Sequence, residues 1–143
     1  MNPENQVFID SNVFINGLLF KDSNSRLVLE LVESGRLKGY ASSTVAREVH
    51  RFFSEELGRK EGHYAMQYVG SLCIVMDDSE AKNEAKKLEG KIKEKDLPNI
   101  AITRLLGLKF LISFDRDYVP FKEYSTPKKF IEKIGLYSFK TDY

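Results

Sequence analysis

Short apolar runs alternate along this chain with segments whose apolar residues recur at helical spacing. The runs at 7–9 and 109–114 are nearly continuous apolar stretches, and an aspartate follows each of them. Continuous apolarity is typical of strands that are buried on both faces, as in a parallel sheet. We predict three further strands at 39–42, 71–76 and 121–124.

Five other segments carry the periodicity of helices. The longest starts at about residue 43, where Val45, Val49, Phe52 and Phe53 recur at the spacing of one helix face. The predicted helices are 27–32, closed by Gly35, the segment from about 43, 78–93, 96–107, with Pro98 in its first turn, and 126–134. Strands that alternate with helices predict an α/β fold with a mainly parallel sheet.

Length and charge narrow the classes of protein that need to be considered. The chain has 143 residues, which predicts a single domain over 1–143. Lys and Arg number 22 and Asp and Glu 21, so the net charge of +1 gives no reason by itself to expect nucleic acid. No apolar stretch reaches the ~20 residues that span a bilayer, and residues 1–6 lack the pattern of a signal peptide. We therefore expect a cytoplasmic protein without a membrane partner.

Cysteine and histidine do not form a metal site in this sequence. Cys73 is the one cysteine and lies in an apolar run, so we expect a buried structural thiol. His50 and His63 are not placed as ligands, and we expect His50 to have a partly exposed structural or substrate-contacting role.

Two aspartates follow predicted strands and are the first candidates for chemistry. Asp10 follows the first apolar run and Asp115 follows the run at 109–114. The carboxyl ends of parallel strands form the crevice where ligands bind. If the two strands are neighbours, two carboxylates converge there, which implies a metal ion or a shifted pKa.

Glu48 is a candidate because of its place on a predicted helix. At 100° per residue it lies about 40° from Phe52 and about 60° from Val45, at the edge of the apolar face. A carboxylate there is partly desolvated, which is costly unless it is paired or bound to a metal. Thr44, one turn earlier, could support Glu48 by hydrogen bonding. The alternative is a surface ion pair with Arg47 or Arg51.

Two further aspartates have a structural and a functional interpretation. Asp96 precedes Leu97 and Pro98 and suits an N-cap, although the same carboxylate could cap the helix and bind a metal. Asp117 either joins the site or belongs to a turn before Tyr118.

Oxygen ligands without a companion histidine or cysteine favour Mg²⁺ or Mn²⁺ over zinc. Carboxylate clusters that hold Mg²⁺ recur in phosphodiester hydrolysis, so phosphoryl chemistry is the leading class. A phosphotransfer enzyme or a receiver-like domain is a rival. Its acid pattern fits poorly, because Asp10 is followed by Ser11 and Asn12 and not by a second acid.

Four segments in order carry a resemblance to a known family. They are VFIDSNVFI at 7–15, SSTVAREV at 42–49, DLPNIAI at 96–102 and FLISFDRDY at 110–118. Together they resemble the acidic motifs of PIN-domain nucleases, the fold of VapC-type toxins and of several RNA-processing endonucleases. The resemblance implies a three-layer α/β/α sandwich with a parallel, five-stranded sheet.

The same resemblance implies roles for individual residues. Asp10, Glu48, Asp96 and Asp115 form the implied acidic tetrad, with Asp117 as a fifth member or a substitute for Asp115. The implied ligands of Mg²⁺ or Mn²⁺ are Asp10, Asp96, Asp115 and Asp117, and Ser11 and Asn12 support the first carboxylate.

The implied activity is that of a metal-dependent endoribonuclease in which metal-bound water attacks the phosphate. The implied partners are an RNA substrate, an antitoxin protein if the chain is a toxin, and a second copy in a homodimer. An RNA-processing enzyme and a noncatalytic RNA-binding member remain open alternatives.

Several basic residues are candidates for contacts with RNA phosphates. Arg47, Arg51 and Arg116 lie closest in sequence to the proposed acids, and Lys21, Arg26, Arg59, Lys60 and Lys122 are further candidates. We expect Tyr64 and Tyr68 to be core residues and not stacking platforms for bases.

Overall fold

Five parallel strands in the order β3-β2-β1-β4-β5 form the sheet in the computed structural model of this protein. The structure describes residues 5–141, so residues 142–143 and most of the segment 1–6, which lacks a signal-peptide pattern, lie outside the described part. The strands are β1 Gln6–Ile9, β2 Lys38–Ser42, β3 Ile74–Met76, β4 Phe110–Ile112 and β5 Tyr124–Ser125.

Helices flank this sheet, which confirms the predicted α/β/α architecture. They are α1 Ser11–Leu19, α2 Asn24–Glu33, α3 Ser43–Leu57, α4 Arg59–Leu72, α5 Lys82–Leu88, α6 Leu97–Leu105 and α7 Pro127–Lys133. Short 3-10 turns cover Asp78–Ala81, Glu94–Asp96 and Arg116–Tyr118. Within residues 5–141, no helix has the length and apolarity needed to cross a membrane.

The central strand β1 confirms the sequence pattern most directly. Val7, Phe8 and Ile9 are all fully buried, as expected of a strand covered on both faces. β1 pairs with β2 on one side and with β4 on the other, with Ile9 opposite Ile112. The residues that follow β1, β2 and β4 therefore meet at one edge, the carboxyl edge of the sheet.

Several predicted boundaries were wrong. The strand predicted at 71–76 is only Ile74–Met76, because α4 continues to Leu72. The helix predicted over 78–93 consists of a 3-10 turn and α5, which ends at Leu88 shortly before Gly90 with φ of +80°. α1 and α4 were not predicted.

The close packing of α3 on α4 depends on two glycines. Gly58, with φ of +112°, ends α3 and begins α4 in a conformation that L residues rarely adopt. Gly62 is buried where the helices meet, and a Cβ there would lie 2.8 Å from the His50 carbonyl oxygen. The α3–α4 pair holds Glu48 at the carboxyl edge.

Three expectations about side-chain burial have clear outcomes. Cys73 is a buried free thiol, as predicted, and burial raises its pKa to about 12. Tyr68, expected in the core, is instead half-buried: it packs against the core, and its hydroxyl donates to Glu33 Oε1 at 2.6 Å. Tyr64 was wrongly placed in the core: it is 56% exposed on α4, and Lys60 Nζ lies 5.8 Å from its ring centroid.

Candidate functional site

The carboxyl edge of the sheet collects the acids that the sequence singled out. Because β1 and β4 are neighbours, Asp10 after β1 and Asp115 after β4 come to the same edge, as predicted. Glu48 reaches it from α3, Asp96 from the start of α6 and Asp117 from the 3-10 turn after β4. Each acid comes from the end of an element or, for Glu48, from a helix that begins there.

Asp10 is the most deeply held of these carboxylates, at 5% exposure. Its Oδ1 accepts from the Ser11 backbone N–H at 2.7 Å and from Asn99 Nδ2 at 3.3 Å, and its Oδ2 accepts from Ser113 Oγ at 2.6 Å. Burial raises the pKa of Asp10 to about 6, in spite of the opposing hydrogen bonds, and the charges of Glu48 and Asp96 add to this rise. These three hydrogen bonds therefore hold the Asp10 carboxylate in place, but they do not offset the cost of burying its charge.

Ser11 connects the first carboxylate to Glu48. Its Oγ donates to Glu48 Oε1 at 3.1 Å and lies 3.5 Å from Asp10 Oδ1. Glu48 is half-buried, as its place at the edge of the apolar face predicted. The alternative of a surface ion pair does not hold, because none of the cations in residues 5–141 lies within 4.0 Å of Glu48, and Arg47 pairs with Asp78 instead.

Asp96, Asp115 and Asp117 form the tightest group of acids, which we call the acidic cluster. One carboxylate oxygen from each lies within 4.8 Å of the others. Asp10 lies outside this set, so its predicted role as a metal ligand stays a prediction. The cluster combines the buried Asp96 with two half-buried members, Asp115 and Asp117.

Asp96 does not cap α6, although the sequence favoured that role as much as metal binding. It occupies the N-cap position, but its side chain makes no capping hydrogen bond. Asp96 is 7% exposed, and its Oδ2 is buried without a hydrogen-bond partner among the described residues. Burial, followed by the charge of Asp115, raises the pKa of Asp96 to about 6. An unpartnered buried carboxylate oxygen is costly unless a cation meets it.

Asp115 and Asp117 are brought together by a short turn. Asp115 Oδ1 accepts from the Asp117 backbone N–H at 2.9 Å, which caps the 3-10 turn Arg116–Tyr118. Asp117 thus belongs to the predicted turn and also lies in the acidic cluster, while its role as a metal ligand stays a prediction. Lys93 Nζ lies 3.2 Å from Asp117 Oδ2, and this hydrogen bond raises the pKa of Lys93.

Asn12 and Ser113 order the loop that follows β4. Asn12 Oδ1 accepts from the Phe114 N–H at 3.2 Å, and its Nδ2 donates to Ser113 Oγ at 3.4 Å. Ser113 also accepts from the Asp115 N–H at 2.9 Å while it donates to Asp10. The expected support of Asp10 by Asn12 therefore passes through Ser113.

Thr44 does not support Glu48 as we expected. Its backbone N–H donates to Asp78 Oδ1 at 3.2 Å, and its hydroxyl donates to Asp78 Oδ2. Arg47 Nη2 also contacts Asp78 Oδ2, at 3.2 Å. Thr44 and Arg47 thus join the start of α3 to the turn after β3.

A groove of about 520 Å³ runs beside Glu48. It is lined by Thr44, Arg47, Glu48, His50, Arg51, Met66 and Lys95. His50 is half-buried, as expected, and the three long cationic side chains are exposed. Arg116 is exposed in the turn between Asp115 and Asp117. Arg26 is committed to the fold, since its Nε donates to the Gly17 carbonyl oxygen at 2.6 Å.

Sequence reasoning gave no role to three residues that organise the site: Ser113, Asn99 and Tyr118. Each is buried and hydrogen-bonded at the carboxyl edge. The one signal for Asn99 was a polar residue within the apolar face of α6. Tyr118 carried no signal that separates it from a core aromatic.

The donor set fits a divalent cation. Three carboxylates converge, one of them with an unpartnered buried oxygen, and neither histidine nor cysteine takes part. Oxygen ligands of this kind match the preferences of Mg²⁺ and Mn²⁺. The acidic cluster therefore has the chemistry of a hard-cation site next to a groove lined with cations.

Comparison with known proteins supplies an independent finding. Residues 6–117 match a family model described as "PIN domain". None of the curated protein sequences compared with the chain matches it significantly.

Three solved structures share the fold. A toxin–antitoxin complex from Klebsiella pneumoniae has a TM-score of 0.66 at 19% identity, covering 85% of this chain and 97% of its own. VapBC2 from Rickettsia felis, bound to a DNA fragment from its promoter, has 0.64 at 14% identity, with 85% and 98% covered. The sarcin-ricin loop cleaving toxin VapC20 of Mycobacterium tuberculosis has 0.58 at 16% identity, with 80% and 93% covered.

Proposed function

The chain belongs to the PIN-domain family, and from that premise we propose that it is a Mg²⁺- or Mn²⁺-dependent endoribonuclease. One observation carries the proposal: the oxygens of Asp96, Asp115 and Asp117 lie within 4.8 Å of one another, and Asp96 Oδ2 is buried without a partner among the described residues. Such a group loses its electrostatic cost when a divalent cation binds.

The acidic cluster would hold the cation, whose contribution when bound is to neutralise charge on the scissile phosphate and to acidify water. Asp10 keeps the edge of the cluster negative and rigid through its bonds to Ser11 and Ser113. Glu48 accepts the Ser11 hydroxyl on Oε1, which leaves its other oxygen to orient a water or take its proton.

RNA would lie along the groove beside Glu48. Arg51 and Lys95 are exposed in this groove, and Arg116 is exposed beside the acidic cluster. Cations at these places would contact phosphates on either side of the scissile bond, and affinity would fall with salt. This arrangement offers a basic path to an acidic centre although the net charge of the whole chain is only +1.

We further propose that the chain is the toxin of a toxin–antitoxin pair. The support is its likeness in fold to proteins from such pairs, including the complexes from Klebsiella pneumoniae and Rickettsia felis. A small antitoxin encoded in the neighbouring reading frame is expected for a toxin and not for an RNA-processing enzyme. The homodimer stays a prediction.

The decisive experiment is cleavage of a mixed RNA pool with Mg²⁺, Mn²⁺ or EDTA, comparing the wild-type protein with Asp10→Asn. Asp22→Asn is the matched control, because Asp22 is an exposed acid outside the site. We expect cleavage by the wild type and the control with either metal, and none with EDTA or Asp10→Asn. Cleavage that survives both EDTA and Asp10→Asn would overturn the mechanism, and binding of RNA without cleavage would favour a noncatalytic scaffold.

A further inference from the structure

A buried polar network lies directly behind the carboxylates, and the proposed reaction does not use it. It consists of Ser42 at the end of β2, Asn99 in the first turn of α6 and Tyr118 at the end of the turn after β4. Ser42 and Tyr118 are fully buried, and Asn99 is 2% exposed. Polar groups at this depth are costly unless all of their hydrogen bonds are made.

Ser42 fixes which way the Asn99 amide points. Its Oγ accepts from the Val45 backbone N–H at 3.0 Å and donates its one proton to Asn99 Oδ1 at 2.7 Å. A flipped amide would place Oδ1 against the Asp10 carboxylate, acceptor against acceptor. The amide nitrogen of Asn99 must therefore face the site.

Asn99 uses both amide protons on groups of the site. Nδ2 donates to Asp10 Oδ1 at 3.3 Å and to the Tyr118 hydroxyl oxygen at 3.0 Å. The oxygen and both protons of the side chain are thus in use. An apolar side chain would fill the same space without any desolvation cost, so packing alone does not account for an asparagine here.

Tyr118 carries the connection to the acidic cluster. Its hydroxyl donates to the Asp96 carbonyl oxygen at 3.5 Å, and its backbone ends the turn that places Asp115 and Asp117. Tyr118 therefore contacts the start of α6 through its hydroxyl, and its main chain is part of the turn that holds Asp115 and Asp117. A shift of Asn99 would move the first carboxylate and this turn together.

We propose that Asn99 is a positioning residue that acts with Tyr118 to fix Asp10 relative to Asp96, Asp115 and Asp117. The Asn99 amide lies between the Asp10 carboxylate and the Tyr118 hydroxyl, and this placement sets the spacing between Asp10 and the acidic cluster that would hold a divalent cation. Residues that orient ligand carboxylates in this way commonly change metal affinity or activity by roughly 10- to 100-fold. The part that concerns turnover rests on the proposed nuclease function.

The test is Mn²⁺ affinity of the metal-free protein, measured by calorimetry for Asn99→Leu and Tyr118→Phe, with RNA cleavage kinetics beside it. Thr103→Val is the control for Asn99→Leu, since the buried Thr103 donates to the Asn99 carbonyl oxygen at 2.7 Å in the same helix. Tyr68→Phe is the control for Tyr118→Phe, because it removes a phenol bond to Glu33.

We expect the Mn²⁺ dissociation constant to rise roughly tenfold in both site variants and to stay unchanged in both controls. We also expect kcat to fall by a similar factor while KM for RNA is unchanged, because neither residue faces the groove. Tyr118→Phe keeps the ring and so decides the matter if Asn99→Leu does not fold.

Wild-type affinity for Mn²⁺ in Tyr118→Phe, or an equal loss in Tyr68→Phe, would overturn the inference. A wild-type protein that binds Mn²⁺ but cleaves no RNA would overturn the proposed function, while the Mn²⁺ affinities still decide the positioning role. A wild-type protein without Mn²⁺ affinity would overturn both.

Discussion

The two ends of the sheet both bury carboxylates, but only one end supplies a cation for them. At the amino end, Glu123 is 4% exposed just before β5, and its two oxygens accept from Arg104 at 3.0 and 3.3 Å. At the carboxyl edge, Asp10 and Asp96 are just as buried. Across residues 5–141, neither has a Lys, Arg or His nitrogen within 4.0 Å.

This difference separates a structural carboxylate from one that is arranged for a ligand. The Arg104 pair neutralises Glu123 within the chain, and the guanidinium also lies 5.3 Å from the Phe121 ring centroid. Asp10 and Asp96 carry raised pKa values of about 6 because burial disfavours their charge. Among the described residues, Asp10 and Asp96 therefore have no paired cation at the carboxyl edge, which is the condition in which binding of an external cation relieves the cost of their burial.

The largest expected effect comes from Asp96→Asn, which removes the carboxylate with the unpartnered oxygen. We expect cleavage and Mn²⁺ affinity to fall by at least about 100-fold, more than loss of an outer hydrogen bond costs. The measurement is single-turnover cleavage together with Mn²⁺ calorimetry, with Asp22→Asn as the control. Unchanged Mn²⁺ affinity in Asp96→Asn would show that Asp96 at the carboxyl edge is no more arranged for a metal ion than Glu123 at the amino end.

Substitutions of the Arg104–Glu123 pair at the amino end of the sheet should change stability and not activity. Arg104→Met leaves Glu123 buried without its cation, which should cost about 3 kcal/mol of the free energy of unfolding. The double variant Arg104→Met/Glu123→Leu should recover most of this loss, because no buried charge remains. Urea unfolding measures the stability, and kcat of the folded protein should match the wild type. A drop in kcat equal to that of Asp96→Asn would contradict the assignment of this end.

The free energy of unfolding of the metal-free protein should depend on pH through Asp10, whose carboxylate has no paired cation within residues 5–141. Its folded pKa of about 6 lies above the ordinary value of 3.8, so the folded state binds more protons between these values. Its contribution to stability is therefore largest in acid and falls as pH rises through about 6, by about 3 kcal/mol in total.

Asp10→Asn tests this contribution, because an amide cannot titrate. In EDTA, we expect this variant to gain stability relative to the wild type as pH rises from about 4 to about 7. Urea unfolding at several pH values measures the difference, in which contributions of carboxyls remote from Asp10 cancel and those of its neighbours Glu48 and Asp96 remain. A difference that does not depend on pH would show that burial does not destabilise the charged form of Asp10.

The acids themselves could be predicted from the sequence because their signals are local. An aspartate directly after a buried apolar run must lie at a strand end, and the structure puts Asp10 and Asp115 at one edge. Glu48 is half-buried as the helical spacing indicated. These predictions need only the period of strands and helices.

The contacts that hold the acids could not be predicted, because they join residues far apart in the chain. Ser113 meets Asp10 across 103 positions and Asn99 meets it across 89, through the pairing of β1 with β4 and the placement of α6. The capping role considered for Asp96 was wrong for a related reason. A residue before Leu97 and Pro98 has the local pattern of an N-cap, and the tertiary structure buries its oxygen instead.

Lys93 forms an ion pair with Asp117 at the carboxyl edge, as Arg104 does with Glu123 at the amino end. Substitution of Lys93 should have the smallest effect on Mn²⁺ affinity. Lys93 Nζ lies 3.2 Å from Asp117 Oδ2, but the side chain is 66% exposed, so the pair is weak and screened by salt. Lys93→Met should free Asp117 for a divalent cation and lower the Mn²⁺ dissociation constant about twofold at low salt, and less at high salt. Lys87→Met is the matched control, because Lys87 makes a similar exposed pair with Glu84 at 3.4 Å. A weaker Mn²⁺ affinity in Lys93→Met would mean that the lysine orients Asp117 for the cation and does not compete with it.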